Sequence, residues 1–67
     1  MSIAKVIKVV GSSPTSAEDA IQQGLARVSK TVHNIRGLKV VDWTLDVDDN
    51  EITLHKVTME VAFAVDE

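Results

Sequence analysis

Cysteine is absent from this chain. That absence rules out disulfides as a source of stability and rules out thiolate ligands for soft metals. Histidine is limited to His33 and His55, and no Gly-x-Ser-x-Gly, P-loop or Gly-x-Gly pattern occurs. Without such a set there is no nucleophile–base pair or phosphate cradle to assign, so no enzymatic activity is expected. No apolar run approaches the roughly 20 residues needed to span a bilayer, and the opening Met1-Ser2-Ile3-Ala4-Lys5 has no signal-peptide layout. A cytoplasmic protein that does not enter membranes is therefore expected. Nor is there an excess of positive charge: the net charge is −3, and the seven Lys and Arg residues are scattered rather than clustered. Phosphate-backbone binding needs the opposite arrangement, so nucleic acid is not an expected partner.

What remains is a chain of 67 residues rich in β-branched side chains. It reads as a single domain over residues 1–67, of a size at which core burial barely offsets chain entropy. Small domains close that gap with disulfides, metals or oligomerisation, and the lack of cysteine leaves oligomerisation as the leading candidate. A first strand is predicted over Ile3–Val10, ended by the turn formers Gly11-Ser12-Ser13-Pro14-Thr15-Ser16. A helix is predicted from Ser16 to His33. Its start is marked by Thr15 with Glu18, or Ser16 with Asp19, at capping-box spacing. Ala17, Ile21, Leu25, Val28 and Val32 form its apolar stripe, and Gly24 within it either permits close backbone approach or is merely tolerated. His33 is read as a partner of the helix dipole.

Leu38–Val47 alternates imperfectly, and a β-bulge near Val41 reconciles its two halves. Asp48-Asp49-Asn50 reads as a hairpin turn. Strand three, Glu51–Val65, is cleaner: Val57, Met59, Val61, Phe63 and Val65 share the face that should meet the helix. The predicted fold class is α+β, a β-α-β-β chain whose three-stranded antiparallel sheet has strand three in the middle. One helix cannot cover so broad a sheet, so the face left bare is expected to meet another subunit. Trp43, which with Phe63 makes up the whole aromatic content, belongs to that interface if it lies on the bare part. His55 reads as a packed or surface residue. The acidic stretch holding Asp42, Asp46 and Asp48 offers oxygen ligands to a hard cation such as calcium, yet its spacing departs from an EF-hand and suits a solvated hairpin tip.

The segments Lys5-Val6-Ile7-Lys8-Val9-Val10-Gly11-Ser12-Ser13-Pro14-Thr15-Ser16, Ser29-Lys30-Thr31-Val32 and Val57-Thr58-Met59-Glu60-Val61-Ala62-Phe63 together resemble the dodecins. The resemblance spans nearly the whole chain. It implies a hollow homododecamer that binds riboflavin or FMN in pairs at subunit interfaces, storing the flavin without turning it over. The family site rests on a Trp just after the helix, which stacks on the isoalloxazine, and on a Gln in the third strand. An ungapped alignment puts Gly37 at the Trp position and Lys56 at the Gln position. With their neighbours Trp43 and Thr44, these are the residues at or near the implied flavin site. The junction Asn34-Ile35-Arg36-Gly37 also resembles a second dodecin subgroup that lacks the stacking Trp and includes a calcium-binding member. Through that subgroup the resemblance implies calcium as the alternative ligand, with Asp42, Asp46 and Asp48 as its candidate ligands. A shell whose assembly is its only function is the third reading.

Overall fold

A computed structural model describes residues 3–65; Met1-Ser2 and Asp66-Glu67, the ends of the domain read over 1–67, lie outside the described residues. The elements are β1 (Ile3–Ser13), α1 (Ala17–Val28), β2 (Ile35–Asp48) and β3 (Glu51–Val65). The strands form one antiparallel sheet in the order β1-β3-β2, as the sequence leads one to expect. Among the described residues no helix is long and apolar enough to cross a membrane.

Three elements differ in extent from the sequence reading: β2 begins at Ile35 rather than Leu38 and takes in Asp48, which reads from the sequence as part of the turn, and β1 and the helix end elsewhere. β1 does not stop at Val10: Gly11, Ser12 and Ser13 pair with Val57, Lys56 and His55. Gly11 and Ser13 serve packing rather than turning, while Ser12 between them is exposed. A Cβ on Gly11 would run into the Ala20 carbonyl oxygen, and Ser13 is fully buried. The helix ends at Val28 and not at His33. Beyond it Ser29 and Thr31 donate their hydroxyls to the carbonyls of Ala26 and Val28, a competition that loosens the last turn, and Asn34 sits at φ 64°. His33 therefore lies past the helix end, too far along the chain to act on its dipole as predicted.

The helix N-terminus is capped by Ser16, whose Oγ accepts from the Asp19 amide at 3.0 Å. Asp19 does not return the bond. Its carboxylate instead accepts from Ser13 Oγ at 2.6 Å and Gln23 Nε2 at 2.9 Å. Helix and first strand are thus tied together through Asp19, and both hydrogen bonds hold its pKa below the usual 3.8, with Ser13 the larger cause.

The core is small and centred on Ala20, Val57 and Met59, with Val9, Ala17, Ile21 and Leu38 packed against it. Ala20, outside the predicted stripe, is the most buried helical residue because it and Gly24 form the line of closest approach to the sheet. A Cβ at Gly24 would stand 2.6 Å from Met59 Cε, so the end of this flexible side chain fills the space the glycine leaves and would have to shift for a larger residue. Phe63, expected to meet the helix, is only half-buried. The reason is length: 12 helical residues span roughly 18 Å, whereas the 15 residues of β3 span about 50 Å. The chain is accordingly elongated, 52 × 20 × 13 Å, with a radius of gyration of 13.8 Å against about 11 Å for a compact chain of this size.

The bulge predicted near Val41 is present, as a register shift between Val40 and Asp42, with further shifts between Ile35 and Gly37 and between Asp46 and Val47. The hairpin turns through Asp49 and Asn50 at φ 53° and 64°. Two consecutive left-handed residues match the twist of the flanking strands, and Asn and Asp tolerate that region.

Candidate functional site

Cross-strand register sorts the side chains onto two faces. The inner face, toward α1, carries Ile7, Val9 and Gly11 of β1 opposite Val61, Met59 and Val57 of β3, with Leu38, Val40, Trp43 and Leu45 of β2 beyond. The outer face carries Val6, Lys8 and Val10, then Ala62, Glu60, Thr58 and Lys56, then Gly37, Lys39, Asp42, Thr44 and Asp46.

An open trough of about 280 Å³ lies beside Gly37, lined by the outer-face residues Val6, Gly37, Lys39, Glu60 and Ala62 and by Leu38, the inner-face residue between Gly37 and Lys39. It exists because Val6, Ala62 and Gly37 fall in one row across the three strands. Nothing stands within 4 Å of where a Gly37 side chain would begin. One step along the strands, Glu60 pairs in register with both Lys8 and Lys39, so a basic, an acidic and a basic residue cross the sheet at the rim.

The other residues singled out in the sequence are not gathered around this trough. Lys56 is six residues from Ala62 along β3, or about 20 Å at about 3.3 Å per residue. It pairs in register with Thr44, and its Nζ lies 3.2 Å from Asp46 Oδ2. Both partners are more than 40% exposed, so this ion pair adds at most about 1 kcal/mol. Trp43 stands opposite Val57 and is 58% exposed. It is on the inner face because the bulge at Val40–Asp42 inverts the alternation: Gly37 and Trp43 share parity in sequence yet lie on opposite faces. It therefore cannot stand in for an indole at position 37. Its exposure follows from the helix packing mainly on β1 and β3: of β2, Leu38 reaches the core, while Val40, Val41, Trp43 and Leu45 are left exposed.

The aspartates are also separate. Asp42 Oδ1 accepts from the Trp43 amide at 3.0 Å, Asp46 is held by Lys56, and Asp48 flanks the hairpin turn. Asp42 and Asp46 are about 13 Å apart along the strand at about 3.3 Å per residue, and among the described residues no group of three or more His, Asp or Glu is placed to hold a metal ion. His55 lies on the inner face between Ser13 and Leu45, half-buried, with its Nδ1 buried and unpartnered in the single chain.

Of the residues that line the trough, only Gly37 is singled out from the sequence; Val6, Lys39, Glu60 and Ala62 are not among its candidates. The available signal was the β1–β3 and β2–β3 register, which strand parity gives only once the bulges are placed.

The whole described fold has known counterparts. The structure matches a dodecin from Streptomyces davaonensis with a TM-score of 0.93 at 36% identity, covering 98% of this chain and 97% of that one. The calcium dodecin of Mycobacterium tuberculosis is 35% identical over 63 residues, 94% of this chain and 89% of the relative. A crystal structure of calcium dodecin from the same organism superposes with a TM-score of 0.82 at 32% identity, covering 96% and 91%. The family model described as Dodecin matches residues 3–66, nearly the entire chain. With that match joined to a shared β-α-β-β topology, this chain belongs to the dodecin family.

Proposed function

We propose that this dodecin is a non-enzymatic binding protein, a homododecameric shell that takes a flavin such as riboflavin or FMN at its subunit junctions and stores it. The observation that carries this reading is the trough at Gly37. Its floor is made of Val6, Ala62 and Gly37, which offer apolar surface and free space to the face of a planar ring. Its volume of about 280 Å³ is at the small end for ligand sites, which suits a half-site completed by a second copy. Position 37 is also where the resemblance puts the flavin-stacking Trp. Its loss forfeits about 1–3 kcal/mol per ring, by analogy with base–aromatic stacking, so binding is weakened rather than abolished. Lys56, at the Gln position, reaches a ligand in the trough only from another copy, and its ammonium supplies donors without an acceptor.

Assembly is supported by the elongated shape and by the bare part of the inner face of β2, with Trp43 at its centre. Riboflavin titration of the assembled protein tests the reading: flavin fluorescence is expected to be quenched at tens of micromolar protein, and an absorbance band from co-purified flavin would support it directly. No quenching overturns it. Restoring both family residues, Gly37→Trp with Lys56→Gln, is expected to raise flavin affinity by about tenfold or more per recovered stack. The space at Gly37 admits the new side chain.

A second reading, in which the junctions hold calcium, is favoured by the relationship to a calcium dodecin, and this chain itself has no Trp at the Asn34–Gly37 junction. Since Asp42, Asp46 and Asp48 stand apart within one chain, that site would draw carboxylates from several copies. Calorimetry with Ca²⁺ on the protein and on Asp42→Asn, Asp46→Asn and Asp48→Asn decides between the two readings. A binding heat lost in the variants supports calcium, and an absent or unchanged heat removes that site.

A further inference from the structure

The row Lys8–Glu60–Lys39 bears on how a ring in the trough would be recognised. Adjacent strands are about 4.8 Å apart, so the three side chains leave the outer face as neighbours, directly beside the Val6–Ala62–Gly37 floor. Their hydrogen-bonding character alternates: an ammonium donates only, and a carboxylate accepts only. The row therefore reads donor, acceptor, donor. Glu60 is half-buried while both lysines are exposed, and among the described residues the ion pair found is Lys56 with Asp46, not one within this row. The three groups are thus not closed upon each other in the single chain.

We propose that Glu60, flanked by Lys39 and Lys8, is the element that reads the polar edge of the bound ring, taking a cyclic imide as its ligand class. This inference rests on the flavin reading given above. A cyclic imide edge, as in the pyrimidine ring of a flavin, presents a carbonyl, an N–H and a carbonyl in succession, which is the complement of this row. The Glu60 carboxylate accepts the imide N–H, the Lys39 ammonium donates to one flanking carbonyl, and Lys8 is placed for the other. The remainder of the ring then lies over Gly37, where the lack of a side chain lets it rest on the backbone. Such an arrangement supplies the acceptor that Lys56 cannot. It also gives the ring an orientation, polar edge toward Glu60 and apolar end toward Ala62 and Val6.

The test compares two ligands identical except at the imide nitrogen, lumiflavin and 3-methyllumiflavin, by fluorescence titration of the assembled protein. Lumiflavin is expected to bind about 10- to 100-fold more tightly, the range for one hydrogen bond to a charged partner. Glu60→Met should erase that preference, so that both ligands bind alike, while Glu60→Gln should retain part of it. Equal affinity of the wild-type protein for the two ligands overturns the role of Glu60 and leaves the flavin reading intact. If neither ligand binds, the flavin reading itself fails. Should Glu60→Met fail to assemble by size-exclusion chromatography, the wild-type comparison still decides, and Lys39→Met should lower lumiflavin affinity with the imide preference kept.

Discussion

Val57 and Trp43 are cross-strand neighbours on the same face of one sheet, yet Val57 is 1% exposed and Trp43 is 58% exposed. Over Val57 lies the helix; over Trp43 lies nothing from the same chain. The sheet is thus divided into a half that forms a core with its own helix and a half whose apolar residues await another copy. What the difference teaches is that burial here is governed by the helix's length and position rather than by residue type. Val40, Val41, Trp43 and Leu45 are as apolar as Val57, Met59 and Val61.

That division can be broken from either side. Met59→Ala should cost about 2–5 kcal/mol of unfolding free energy, since it empties the centre of the covered half, and denaturant melting measures it. Trp43→Ala should act on assembly instead. A central aromatic anchor contributes about 2 kcal/mol or more per interface, so the variant is expected to dissociate on dilution by light scattering while keeping its circular dichroism. An assembly unaffected by this change would mean that the bare half is not an interface.

Smaller effects sharpen the boundary between the halves. Gly11→Ala should cost about 1–3 kcal/mol, because the new methyl meets a helix backbone carbonyl that cannot give way. Gly24→Ala meets only the mobile end of Met59, at 2.6 Å, and gains about 1 kcal/mol of helix propensity, so its net effect by thermal melting should be near zero. The weakest lever is pH. Asp19 has its pKa lowered in the fold by Ser13 and then Gln23, so its stabilising contribution is complete above the unfolded value of about 4 and fades as pH falls below it. The melting temperature of wild type should therefore drop more steeply below about pH 4 than that of Asp19→Asn, and equal slopes would refute the linkage.

Much of the fold was legible in the amino-acid order. The element sequence, the central place of strand three, the Asp49-Asn50 turn and the bulge near Val41 all follow from local periodicity and turn chemistry. The errors were equally physical. Gly11 to Ser13 read as a turn because small residues serve both turns and close packing, and only the presence of Ala20 overhead distinguishes the two uses. The helix stops short of its apolar spacing, which runs on to Val32, where Ser29 and Thr31 turn their hydroxyls onto its last carbonyls. For the candidate site, Gly37 was singled out by resemblance alone, and its neighbours emerge only from the cross-strand register.

The sequence alone determined which residues alternate, where the chain turns and that one helix is too little for three strands, because these depend on neighbours within a few positions. Tertiary structure decided which face each residue joins. One extra residue at the bulge sends Trp43 to the inner face while Gly37 stays on the outer one, and antiparallel register alone brings Lys8, Glu60 and Lys39 into a row. Side-chain alternation is a local property, but the pairing that converts it into a surface is made between residues distant in the chain.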